Sequence, residues 1–226
     1  MKNLHKLVLT ILSVSLMLQY SSGAIADTKL MDADKPNSSS NFLPDYSLLK
    51  PVKGPEGTKA YRYTRSDFDP LAYSAVIIDP VAINQQMKDE KLTPDIITST
   101  QQALNASIQD RIGASAMKIA HEPGAGVLRV SVSISGAEVE TEGFKPRNLL
   151  PVSAVIKLAS KAAGKDSKKV VLLVESKIVD SQTGQLMRAG MITIAGDSFR
   201  DEGATSVEFK KLAEKIVDIA MKNSNM

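Results

Sequence analysis

The chain has 226 residues, 28 basic against 25 acidic, for a formal net charge of +3, and 43% of it is apolar. That balance leaves no excess positive charge to neutralise a phosphate backbone, which excludes a strongly basic nucleic-acid binder. The absence of cysteine excludes disulfides, thiolate metal sites, cysteine nucleophiles and a cysteine-linked lipid, and the absence of Trp with only 4% aromatics disfavours stacking platforms for sugars or bases.

Residues 1–26 read as an export signal. Lys2 and Lys6 give a positive start, Leu7 to Leu18 an apolar stretch too short to span a bilayer, and Ala24-Ile25-Ala26 the small-x-small pattern at which signal peptidase cuts. Cleavage between Ala26 and Asp27 removes Lys2 and Lys6, leaving 26 basic against 25 acidic residues, a net of +1. A thiol-free exported domain must then be stabilised by its apolar core, which a chain of about 200 residues can supply. Residues 27–41 are polar and rich in Ser and Asn, and read as a disordered leader. Phe42 to Leu49 is an apolar, aromatic island that packs onto the domain, and residues 50–59, with two Pro and two Gly, read as a loop. The segment 27–60 is thus a leader with a docking piece, and 61–226 a single domain.

Within that domain Ser74 to Asp79, an apolar run closed by Pro80, predicts a buried strand. Thr93, Pro94 and Asp95 supply an N-cap, a favoured first helical residue and a carboxylate at the positive helix end. Ile96, Ile97, Leu104, Ile108 and Ile112 follow at roughly helical spacing up to Gly113. Met117 to Ala120 predicts a short strand, and Pro123-Gly-Ala-Gly126 a turn. Beyond it Leu128, Val130, Val132 and Ile134 face one way and Arg129, Ser131, Ser133 and Ser135 the other, the pattern of a strand with one dry and one wet face. Leu149 to Ala163 is apolar with small residues, and Val170 to Val179 with Leu186 to Ile194 predicts a hairpin over Asp180-Ser-Gln-Thr-Gly184. Thr205 and Glu208 form a capping box, with Phe209, Leu212, Ala213, Ile216, Val217 and Ala220 as the buried face. The order is β-α-β-β, an apolar helix, then β-β-α. It predicts an α/β (α+β) domain with a mixed, largely antiparallel sheet covered by helices.

Four pieces in this order, Phe42-Leu-Pro-Asp-Tyr-Ser47, Tyr73 to Val81, Pro123-Gly-Ala-Gly126 and Asp180-Ser-Gln-Thr-Gly184, resemble the bacterial family filed as domain of unknown function 3313. The resemblance runs over nearly the whole mature chain. It implies an exported envelope protein, in many relatives one with a lipoprotein-type signal, although this sequence lacks the lipid-attachment cysteine. It implies no activity.

Few side chains point to chemistry. His121 is the one histidine after cleavage, so a Ser-His-Asp triad would need it, yet no G-x-S-x-G elbow marks a nucleophile. Glu138, Glu140 and Glu142 alternate and would line one strand face, either as a cation or acid/base site or as a solvated stripe. Gly124-Ala-Gly126 precedes a strand, where a phosphate cradle should open a helix. Tyr61, Tyr63 and Tyr73, with Phe68 and Tyr46, either line a pocket or pack the N-terminal segment on the sheet. Leu149, Val152, Val155, Ile156 and Ala159 form a partner- or membrane-contacting stripe if exposed and a core helix if not.

The sequence is therefore read as an exported periplasmic envelope protein, non-enzymatic and without cofactor. It is expected to act in interaction or assembly, with envelope proteins or a second copy of itself as partner and with contact to the membrane surface open to it. Secretion from the cell is the other destination. The alternatives are a small-ligand binder with its pocket at Tyr61, Tyr63 and Tyr73, and a hydrolase using His121.

Overall fold

Val170 to Val174 are all buried, as a central strand covered on both faces requires, and the fold is laid out around that run. The computed structural model describes residues 40–84, 91–141 and 167–222. The export signal, the leader up to residue 39, Glu142, and the stripe Leu149, Val152, Val155, Ile156 and Ala159 lie outside the described residues.

The strands are β1 (Lys50–Val52), β2 (Thr58–Thr64), β3 (Ala75–Ile78), β4 (Ala82–Ile83), β5 (Lys118–Ile119), β6 (Val127–Thr141), β7 (Lys168–Asp180) and β8 (Leu186–Ala195), and the helices are α1 (Pro94–Gly113) and α2 (Thr205–Lys222). The strands form one open eight-stranded sheet in the order β1-β2-β8-β7-β6-β3-β5, with β4 alongside β6. β1, β2, β8, β7 and β6 pair antiparallel, whereas β3 and β4 run parallel to β6, and β5 to β3. This is the mixed, mostly antiparallel sheet with helices that the periodicity predicts.

One expected loop is a strand pair. Residues 50–59 supply β1 and the start of β2, because Gly57 adopts a φ of +74° and the Thr58 N–H donates to the Pro55 carbonyl at 3.2 Å. The Pro/Gly cluster thus makes a turn tight enough to return the chain. β6 also runs past Ser135 to Thr141, through a register shift between Ile134 and Gly136.

Both helices cover one face. α1 starts where the N-cap pattern places it, with Thr93 Oγ1 accepting from the Ile96 N–H, and it buries Thr100, Leu104 and Ile108. α2 buries Phe209, Leu212, Ala213, Ile216, Val217 and Ile219, while Ala220 is exposed. The buried stripe turns toward Ile219 because α2 packs on α1 as well as on the sheet. Ser99 pairs with Ser206 (Oγ to Oγ, 3.0 Å) and Arg111 with Asp218, each separated by 107 residues, so the helices run parallel and in register. Beneath them Leu104, Ile134, Val170, Leu172, Ile194 and Phe209 form the main core.

The other face is covered by Ser40 to Leu49, which crosses the sheet as a strap. Leu43 and Leu49 are buried against Leu173, Ala189 and Met191, with Phe42, Tyr46, Tyr61 and Tyr63 around them. Polar contacts fix it. Lys177 Nζ donates to the Phe42 carbonyl at 3.1 Å and lies 4.6 Å from the centre of the Phe42 ring. Glu175, wholly buried, accepts through Oε2 from Ser40 Oγ at 2.5 Å and from Ser135 Oγ, and Ser40 Oγ also meets the Tyr46 hydroxyl at 2.5 Å. The strap overturns the reading of a wet face on β6, since Ser133 and Ser135 are buried (3% and 9% exposed). Small hydroxyls there leave room for the strap, and one of them supplies a donor that a buried carboxyl needs.

Candidate functional site

Three of the four family-like pieces meet at one end of the sheet. In the turn after β7, Asp180 Oδ1 accepts from the N–H groups of Gln182 (3.1 Å) and Thr183 (2.8 Å) and from the Thr183 hydroxyl (2.9 Å). These bonds favour the ionised form and hold the Asp180 carboxyl below its ordinary value. Gly184 closes the turn at φ +71°. The turn is latched to its neighbours: Ser181 N–H donates to Val127 O (3.0 Å), Gly124 N–H donates to Ser181 Oγ (3.1 Å), and Tyr73 Oη donates to Asp180 Oδ2 (3.1 Å). Burial first, then the Asp180 carboxylate, push the Tyr73 phenol up. Gly126, at φ +68°, accepts from the N–H groups of Ser74 (3.0 Å) and Ala75 (3.3 Å) through its carbonyl.

The chain from β2 to β3 crosses this end. Arg65 N–H donates to Met187 O at 2.9 Å, and its guanidinium grips Asp67 at 2.5 and 3.0 Å, which raises Arg65 and lowers Asp67 from their ordinary values. Asp69 then caps a 3-10 turn over Pro70–Ala72, its Oδ1 accepting from the Leu71 N–H at 2.9 Å. Leu71 projects from that turn with 93% of its surface in solvent. Beside it lies an open cleft of about 210 Å³ lined by Arg65, Asp67, Phe68, Asp69, Ala72, Tyr73, Gln185 and Met187. The lining offers a cation, a carboxylate, a phenol and an amide around an apolar patch. That set can orient one small polar group or a side chain, and the volume falls below the roughly 300–1,000 Å³ of pockets that enclose a drug-sized ligand.

The residues singled out in the sequence are dispersed. Tyr73 lines the cleft, whereas Tyr61 and Tyr63 sit under the strap with Leu43 and Leu49, so the three do not share a pocket. His121 is exposed after β5 and makes no hydrogen bond or ion pair among the described residues. Glu138 and Glu140 do share a face of β6, opposite Val171 and Lys169. Among the described residues no three His, Cys, Asp or Glu side chains are placed to hold a metal ion. Arg65, Asp67 and Gln185 went unmarked in the sequence, although the Asp69-Pro70 dipeptide, a turn starter, lies near the first two and the Asp180 to Gly184 turn adjoins the third.

The model of a family described as a protein of unknown function, DUF3313, matches residues 38–222. This chain belongs to that family. The match takes in the strap, so Ser40 to Leu49 lies within the DUF3313 unit. A curated relative, the uncharacterized lipoprotein YdcL of Escherichia coli strain K12, is 22% identical over 191 residues, covering 82% of this chain and 83% of its own. Likenesses to solved structures are slighter. A DUF4136 family protein from Bacteroides thetaiotaomicron is 12% identical with a TM-score of 0.41, covering 75% of this chain and 97% of that one. A putative lipoprotein from Caulobacter crescentus is 10% identical with a TM-score of 0.33, covering 68% and 87%.

Proposed function

We propose that this DUF3313 chain is an exported protein of the cell envelope that holds a partner protein rather than turning over a substrate, and that it meets the partner at the hairpin end of the sheet. The lipoprotein name of the curated relative and the export signal read in residues 1–26 support the compartment. The sequence holds no cysteine to carry a thioether-linked lipid, so delivery here is to the periplasmic side without that attachment.

The observation that carries the binding role is Leu71. A large apolar side chain 93% exposed is presented on a turn whose backbone the Asp69 cap already orders, and the cleft beside it offers polar groups that can orient a partner. The sheet edges are poorer docking places: β1 has three residues, one of them Pro51, and β5 has two, which offer a partner strand little backbone to pair with. A small-ligand role rests on the same cleft through Tyr73. Hydrolysis draws no comparable support, since His121 stands apart from any orienting carboxylate among the described residues.

A photo-crosslinking residue at position 71 of the full chain, illuminated in cells that export it, is expected to trap a discrete adduct. The same residue at Val207, half exposed on α2, is expected to trap none. Equal yields at the two positions, or none at 71, would refute the reading.

A further inference from the structure

Leu71 sits in the middle of its turn, between two residues that restrain it in different ways. Asp69 acts locally: its carboxylate takes the Leu71 N–H, and its carbonyl accepts from the Ala72 N–H at 3.2 Å. A cap of that kind shapes the turn but does not set where the turn points. Tyr73 closes the other side. Its N–H donates to the Pro70 carbonyl at 3.3 Å, its backbone leaves the turn extended, and its hydroxyl reaches Asp180, 107 residues away.

Among the described residues, the bond from Tyr73 to Asp180 is the one side-chain hydrogen bond that joins residues 66–74 to another element. Its acceptor is a carboxylate, which makes it charge-assisted; burial and then that carboxylate push the phenol up, so the proton stays on Tyr73. Asp180 Oδ1 is taken up by the N–H groups of Gln182 and Thr183, so Oδ2 is presented from an ordered turn. The Tyr73 ring leans on Phe68, with centres 5.7 Å apart and planes at 43°, and the Arg188 guanidinium lies 5.3 Å from the centre of the Phe68 ring. Ring contacts tolerate sliding, whereas the hydrogen bond has a direction. The Ala72 carbonyl, 3.2 Å from where a Gly126 Cβ would stand, abuts the backbone of the Pro123 to Gly126 turn.

We propose that Tyr73 is the positioning residue of the partner site: its bond to Asp180 fixes the direction in which the turn holds Leu71 out, and the hairpin turn thereby governs how well Leu71 meets a partner. The consequence for capture rests on the partner reading, while the restraint itself belongs to the free protein.

The test compares the full chain with its Tyr73→Phe variant, which keeps the ring and removes the hydroxyl. Hydrogen exchange at the Ala72 and Tyr73 amides reads the restraint without a partner. Loss of a hydrogen bond to a charged acceptor at a half-exposed site should speed that exchange about three- to tenfold, while the amides of β8 stay protected and melting shifts by no more than a few degrees. The photo-crosslinking residue at position 71 reads the consequence, and its adduct yield in exporting cells is expected to fall by about the same factor. Asp180→Ala removes the acceptor, so adding Tyr73→Phe to it should change neither readout further. Unchanged exchange in Tyr73→Phe overturns the proposal, as do equal adduct yields from the two chains, or effects of the two substitutions that simply add. Absence of adduct from both chains refutes the partner reading instead, and exchange at Ala72 and Tyr73 then decides the restraint by itself.

Discussion

Leu43→Ala tests whether the strap belongs to the core. Leu43 retains 4% of its exposure, in the apolar island Phe42 to Leu49 that reads as a piece docked onto the domain. The substitution removes three carbons, which at about 0.8 kcal/mol each amounts to roughly 2.4 kcal/mol of lost burial, with a further cavity cost if the strap does not settle. For a domain of this size that corresponds to about 5–10 °C in melting temperature. Leu71→Ala removes the same three carbons from a side chain 93% exposed and should stay within about 0.5 kcal/mol. Guanidinium unfolding followed by far-ultraviolet circular dichroism measures both. If the strap can undock while the sheet stays folded, the Leu43→Ala loss is capped at the docking free energy. Hydrogen exchange would then show early opening at Leu43 and Leu49 alone. A Leu43→Ala midpoint equal to that of Leu71→Ala would refute the strap as a core element.

Gly126→Ala places a side chain at φ +68° and a Cβ 3.2 Å from Ala72 O, so a loss of about 1–3 kcal/mol in the unfolding free energy is expected; a neutral result would show that the turn relaxes. The hairpin turn should also be acid-sensitive. Asp180 is held below its ordinary value in the fold, so its stabilising contribution is complete above the unfolded value near 3.9 and is lost as pH falls through the folded one. Melting temperature should therefore fall more steeply below about pH 4 in the wild type than in Asp180→Ala, and parallel curves would contradict that assignment.

The elements with strong local signals were legible. The N-cap at Thr93, the period of α1 and α2, and the turn residues Asp180 and Gly184 are each decided by contacts within a few positions, and the structure places them where the pattern does. What was not legible depends on distant parts of the chain. Ser133 and Ser135 look like a wet face because nothing near them in sequence reveals that a segment about 90 residues earlier lies across them. Glu175 disappears into an apolar run for the same reason, its hydroxyl donors arriving from Ser40 and Ser135. The tyrosines were grouped by nearness in sequence, but alternation along β2 sends Tyr61 and Tyr63 to the strap face, while Tyr73, beyond the crossover, reaches Asp180.

The strap also decides how force would enter the molecule. Any pull on the residues ahead of Ser40 reaches the body through Ser40, Phe42 and Leu43, and β7 receives it at Glu175 and Lys177, in the middle of the sheet rather than at an edge. A load arriving there is shared by the strands on both sides before any one of them is peeled away. A leash fastened at the first edge strand would instead unzip the sheet from its weakest pair.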